Sequence, residues 1–186
     1  MKFDKFKVKG PILIYPDRFG DERGFFAETY SRIKYANIVI DYEFVQDNHS
    51  LSSNLGTLRG LHYQSPPFAQ GKLVRCGRGS IYDVVVDIRR GSPTYGEWEG
   101  CELSFHNGHQ LYVPVGFAHG FLTLEKNSEI VYKCTEYYEP EAEGSVCWNS
   151  CGIDWPLKSD PIVSIKDTIS PMLKNLYSPF IYGENS

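Results

Sequence analysis

A chain of 186 residues that is 41% apolar and 15% aromatic is long enough to bury a core and too apolar to be disordered. Its net charge of −4 argues against a general nucleic-acid or membrane surface, so an anionic ligand would need counter-charges gathered locally. The five cysteines are odd in number and form no CxxC pair, which suits a reducing compartment and buried thiols.

Taken in chain order, Met1–Gly10 alternates charge with Phe and Val and lacks the apolar core of a signal peptide. No run nears the roughly 18 apolar residues of a membrane helix, and the unpaired cysteines lead to the expectation of a cytoplasmic protein. Short period-two segments, punctuated by Gly, Pro and Asn, then dominate. They predict strands at ILIYP, GFFAETYS, EFVQDNHS, TLRGLHYQ, KLVRCG and SIYDVVVDI, and further on at YGEWEGCELSF, QLYVPV, GFLTLE, EIVYKCTEYY and SVCWN. Helix is expected only as a turn or two near Ser31–Ala36 and near Pro171–Asn175. Many short strands at this spacing predict an all-β, double-sheet or closed fold, a jelly roll or cupin-type barrel. With no repeat, low-complexity tract or linker, residues 1–186 read as a single domain with a C-terminal appendage from about residue 155.

Strand phase sorts side chains onto faces. In EIVYKCTEYY, Ile130, Tyr132, Cys134, Glu136 and Tyr138 share one face, either a wet surface or the lining of a site. In TLRGLHYQ, ideal alternation places Arg59 and His62 on opposite faces; for both to serve one site, Gly60 must allow a bulge or bend.

Two segments resemble the paired metal-binding motifs of cupins. Gly108, Pro114, Gly116 and His119 match the second motif at every spacing, with Thr123 in place of its final Asn. Gly56 and His62 match the first, but Gln64 stands where a second histidine belongs, and no carboxylate lies near Phe68. A transition-metal site needs about three strong ligands, so the likeness supports the fold and argues against a metal. His49, His106 and His109 read as structural.

The ordered blocks DERGFFAETYS, FVQDNHS, LRGLHYQ, AQGKLVRC, DVVVDIRRGSPTYGEW, VPVGFAHGFLTL, YKCTEYY, GIDWP and SIKD resemble the dTDP-4-dehydrorhamnose 3,5-epimerase family from about Tyr15 to Asp167. The resemblance implies a cofactor-free, metal-free enzyme that converts dTDP-4-dehydro-6-deoxy-glucose to the keto precursor of L-rhamnose. It also implies a homodimer in which an N-terminal strand reaches into the partner. A C4 ketone acidifies the hydrogens at C3 and C5, so epimerisation needs a base, an acid on the opposite face and positive charge near O4. By resemblance His62 is the base, Asp167 its orienting partner, Tyr132 the acid, and Lys72 the positive charge at the enolate oxygen, assisted by His119. Arg23 and Arg59 match phosphate-pairing positions, and Gln46 and Asn48 match contacts to the base. Phe26, Glu28, Tyr138 and Glu143 look like further nucleotide contacts, some contributed across the dimer; a solvated Glu143 is the alternative.

The chain departs from the pattern at Cys147, at Cys151 and in SPPFAQ, which could reshape the substrate mouth. A sibling that epimerises only C3 or only C5, or acts on another nucleotide 4-keto sugar, would share the same proton-transfer residues. A metal cupin and a non-catalytic sugar-nucleotide binding module are the readings from other classes.

Overall fold

The computed structural model describes residues 1–38 and 42–183. Its strands are β1 (Lys2–Lys5), β2 (Ile12–Tyr15), β3 (Arg18–Asp21), β4 (Gly24–Ala27), β5 (Gln46–Ser52), β6 (Leu58–Gln64) and β7 (Lys72–Arg78). They continue with β8 (Ser80–Asp87), β9 (Trp98–Ser104), β10 (Gln110–Val113), β11 (Phe117–Thr123), β12 (Ser128–Cys134) and β13 (Glu143–Ser145). The helices are α1 (Arg32–Ala36) and α2 (Ile165–Thr168), with single 3₁₀ turns at Pro140–Ala142 and Leu173–Asn175. A six-stranded sheet runs β1-β2-β10-β7-β12-β5 and a five-stranded sheet runs β13-β6-β11-β8-β9, while β3 and β4 form a separate hairpin. All strand pairs are antiparallel, giving the two-sheet jelly-roll architecture that the short alternating segments predict.

Between the sheets, Val74, Leu111, Val113 and Ile130 of the larger sheet meet Ile81, Val85, Leu103, Phe117 and Phe121 of the smaller. These are the inward-facing members of alternating strands, and each fully buried aliphatic or Phe contributes about 1.5–3 kcal/mol. Both outer faces are partly covered as well. Tyr35 of α1 and Ile38 pack with Leu73 and Tyr112 on the larger sheet. Cys151, Phe180, Trp155 and Leu173 pack over Val84, Val86 and Ala118 on the smaller one. That second cover explains why β8 and β11 are buried on both faces. It also makes the C-terminal segment part of the wall, tied in by bridges Thr57–Ile162 and Arg90–Ile181.

Three differences from the sequence reading have local causes. SVCWN is not a strand: β13 stops at Ser145, because the Cys147 N–H turns away to the Pro171 carbonyl. β1 is an exposed edge strand that was not among the strands predicted from alternation; only the family resemblance implied a strand at the N-terminus. β3 was missed because Arg18–Asp21 carries a single apolar side chain. Helix does occur at Arg32–Ala36, inside the expected Ser31–Ala36, and the second expected helix is the turn Leu173–Asn175, whereas α2 at Ile165–Thr168 was not expected.

Candidate active site

The conflict between Arg59 and His62 is resolved by a bulge. Opposite β11, His62 pairs with His119 and Arg59 with Phe121, so β6 places two residues, Gly60 and Leu61, against Gly120 alone. The extra residue returns Arg59 to the face that carries His62. Gly60 takes φ +121°, and a Cβ there would sit 2.6 Å from Gly120 Cα and 2.8 Å from the His119 carbonyl oxygen. Only glycine fits.

The bulged strand opens onto a cavity of about 440 Å³ lined by Arg59, His62, Lys72, His119, Tyr132 and Asp167, and also by Ser50, Ser164 and Lys166. A neighbouring cavity of about 330 Å³ shares His62, Lys72 and Tyr132 and adds Gln46, Asn48, Tyr138 and Glu143. Ten of the thirteen residues singled out in the sequence thus line one two-lobed site. The other three, Arg23, Phe26 and Glu28, line neither lobe. Arg23 pairs with Asp21 and Glu28 with Lys34, while the Phe26 ring is 70% exposed.

His62 sits on the five-stranded sheet and Tyr132 on the six-stranded one, so the two face each other across the interior. The His62 Nε2 lies 2.6 Å from Asp167 Oδ1. A carboxylate only accepts, so Nε2 carries the proton and Nδ1 keeps the lone pair. Burial lowers the His62 pKa, opposed by the Asp167 hydrogen bond and charge, and the net direction is down. Asp167 is itself buried on α2, where its N–H donates to the Ser164 hydroxyl at 3.1 Å. Burial raises the Tyr132 phenol and keeps it protonated. Burial also lowers the Lys72 pKa, and among the described residues its ammonium makes no hydrogen bond. This arrangement can take a proton from carbon on one side, return one from the other, and place positive charge between.

The second histidine is also paired with a carboxylate: His119 Nε2 lies 2.7 Å from Oδ1 of the fully buried Asp83, whose Oδ2 has no partner among the described residues. Asp83 and Lys166 belong to the site and were not singled out from the sequence. Asp83 had a readable signal, an acid in phase with inward-facing Ile81 and Val85. Lys166 adjoins Asp167 in SIKD.

Gln64, at a cupin ligand position, is instead a brace. Its amide donates to the Phe68 and Tyr137 carbonyls at 2.5 and 2.9 Å and accepts from the Glu139 N–H at 3.0 Å. Three backbone partners leave this side chain committed to holding the 137–139 segment. Of the departures noted in the sequence, Cys151 packs on the outer face of the smaller sheet, and Pro66, Pro67 and Ala69 line a separate cavity beside Phe180. On the strand that carries Tyr132, Ile130, Tyr132 and Cys134 share the core-facing side, but β12 ends before Glu136 and Tyr138.

Comparison with known proteins places the chain in a family. The family model described as dTDP-4-dehydrorhamnose 3,5-epimerase matches residues 5–175. The dTDP-4-dehydrorhamnose 3,5-epimerase of Sinorhizobium fredii is 48% identical over 184 residues, covering 98% of this chain and 94% of the relative. The crystal structure of the Legionella pneumophila epimerase with dTDP-4-keto-L-rhamnose superposes with a TM-score of 0.90 at 44% identity, covering 94% of each chain. The Bacillus anthracis epimerase with TDP and pyrophosphate bound gives a TM-score of 0.89 at 45% identity, covering 92% of this chain and 98% of that one. With the bulged strand that carries His62, the facing tyrosine and this similarity along nearly the whole length, the chain belongs to the dTDP-4-dehydrorhamnose 3,5-epimerase family.

Proposed function

We propose that this protein epimerises dTDP-4-dehydro-6-deoxy-D-glucose at C3 and C5, giving dTDP-4-dehydro-L-rhamnose for deoxysugar biosynthesis. The observation that carries this reading is the placement of His62–Asp167 and Tyr132 on opposite walls of one cavity. Inverting a carbon requires removal of a proton from one face and delivery to the other. His62 Nδ1 takes the proton next to the C4 ketone, and the electron pair moves to O4. Lys72, assisted by His119, stabilises the enolate oxygen. Tyr132 then protonates the carbon from the opposite face, and solvent returns both side chains to their starting states. The ketone itself acidifies both carbons, so this chemistry calls for no metal or cofactor. Arg59 is suited to the diphosphate, and Gln46, Asn48 and Tyr138 lie in the lobe suited to the nucleoside.

The remaining residues are supplied by a second copy in this reading. The β3–β4 hairpin forms a sheet of its own and exposes Phe19 and Phe26, with Arg23 in its turn. In a cytoplasmic homodimer this arm would bring Arg23, Phe26 and Glu28 to the partner's nucleotide lobe. In this reading the N-terminal segment that reaches the partner includes this hairpin, while β1 pairs with β2 of its own chain.

The test is proton NMR of the 4-keto sugar nucleotide in deuterated water without added metal. Deuterium at both C3 and C5, abolished in His62→Ala while dTDP still binds, is the expected result. Exchange at one carbon would assign the protein as a single-site epimerase. Undiminished exchange in His62→Ala would remove this residue from its role.

A further inference from the structure

The β3–β4 hairpin has two unlike faces. Its register sets Arg18 opposite Ala27, Phe19 opposite Phe26 and Gly20 opposite Phe25. Arg18 and Phe25 are therefore diagonal neighbours on one face, while Phe19 and Phe26 share the other. The first face turns back onto its own chain. The Arg18 guanidinium lies 4.3 Å from the centre of the Phe25 ring and 5.9 Å from that of Phe105, and its Nη1 donates to the His106 carbonyl at 2.9 Å. The Phe25 and Phe105 rings also meet directly, at 5.6 Å between centres. Among the described residues, the hydrogen bonds and aromatic contacts that tie this hairpin to other elements are those of Arg18 and Phe25. They land on a braced turn: Asn107 Oδ1 accepts from the Ser104 and His109 N–H groups at 3.0 and 2.9 Å, and its amide donates to the Glu102 carbonyl at 2.9 Å. Gly108 of the cupin-like motif completes the fit. It takes φ +64°, and a Cβ there would occupy the space of the Arg18 guanidinium.

We propose that Arg18 is a positioning residue: held between Phe25 and Phe105, it fastens the hairpin to the Ser104–His109 turn and sets the direction in which Arg23 and Phe26 are presented to a second copy of the chain. The proposal rests on the reading of this hairpin as the arm that completes the partner's nucleotide lobe. A hairpin of two four-residue strands has little rigidity of its own, so the aim of its tip follows from what its base is fastened to. A guanidinium suits this task, being flat enough to lie against aromatic rings while its N–H groups still reach a carbonyl. Arg18 lines neither lobe of the site, and its guanidinium is engaged by its own chain. Its loss therefore acts on the ligand only through the arm.

The experiment makes Arg18→Ala and Gly108→Ala singly and together in the full chain, with Arg23→Ala as the reference. Gly108→Ala keeps the arginine but displaces its guanidinium from the rings. For each protein, dTDP affinity is measured, along with KM and kcat for solvent deuterium incorporation and the sedimentation coefficient. Arg18→Ala should weaken dTDP binding and raise KM by roughly 5- to 20-fold while kcat stays within about threefold of wild type, since the proton-transfer residues are untouched. Gly108→Ala should act in the same direction. The double variant should be no weaker than the worse single, because both changes remove one contact. A fall in kcat as large as the rise in KM, single losses that multiply, or a loss seen only when the protein dissociates to the 21.2 kDa chain would each overturn the positioning role. Arg23→Ala separates the two levels of failure. If it weakens dTDP binding while Arg18→Ala does not, only the role of Arg18 falls; if it binds dTDP as tightly as wild type, the exchanged-arm reading falls with it.

Discussion

His62 and Tyr132 are moved in opposite directions by the same cause. Burial disfavours the charged form of each, lowering the imidazolium's pKa and raising the phenol's. At neutral pH both therefore rest in the form that one inversion needs, a neutral base and a protonated acid. Activity should persist below the ordinary histidine pKa of 6.5 and fall only as pH drops through the lowered value, where His62 becomes protonated. Asp167 opposes this shift, since its hydrogen bond and charge favour the imidazolium. Replacing it by Asn should move the acidic limb to still lower pH and slow exchange by roughly 10²- to 10⁴-fold, through a weaker base and a lost tautomer constraint. A pH profile of deuterium incorporation for both proteins checks this; an unmoved limb with an undiminished rate would dissociate Asp167 from the base.

At the level of elements, the bulge in β6 decides more than any single strand. Without it, Arg59 would point away from the cavity that holds His62, and the two side chains would lie on different faces. Gly60→Ala tests this directly, because the new methyl meets backbone, which cannot swing aside as a side chain can. A left-handed φ and a backbone clash of this kind cost about 2–3 kcal/mol, so the melting temperature should drop by roughly 5–10 °C. Turnover should fall further than stability accounts for, since relief of the clash shifts Arg59 relative to His62. A variant with wild-type melting and turnover would show that β6 tolerates a side chain there. The presence of a glycine flanked by residues of conflicting phase was legible in LRGLHYQ. The partner that enforces it, Gly120, lies 60 positions away and was not.

For the whole molecule, the hairpin is the feature that a single chain leaves unused. Phe25 is held against Arg18 and Phe105, but Phe19 and Phe26 face solvent. Burying each in a dimer would contribute about 2 kcal/mol. The protein should therefore sediment as twice its 21.2 kDa chain mass, and Phe19→Ser with Phe26→Ser should shift it toward the monomer. Affinity for dTDP should fall in the same variant, because Arg23 would no longer reach a neighbouring site. Sedimentation velocity at micromolar concentration decides this: a wild-type protein at 21.2 kDa would end the exchanged-arm reading.

Local pattern carries far in this chain and then stops for a physical reason. Period-two alternation depends on residues two apart, so most strands, the all-β class and the face Tyr132 shares with Ile130 and Cys134 were readable from the sequence, but not whether that face points inward. So were the motif residues Gly56, His62, Gly108 and His119, whose spacing is fixed along the chain. Pairings between distant residues were not readable as geometry. Family likeness named Asp167 as the partner of His62, 105 positions away, but only the fold shows it buried on a helix. Asp83 joins His119 from 36 positions away, and Gln64 spends its amide on the 137–139 backbone rather than on a ligand. Such contacts depend on how two sheets and a C-terminal segment close around one interior, and that closure is a property of the tertiary structure alone.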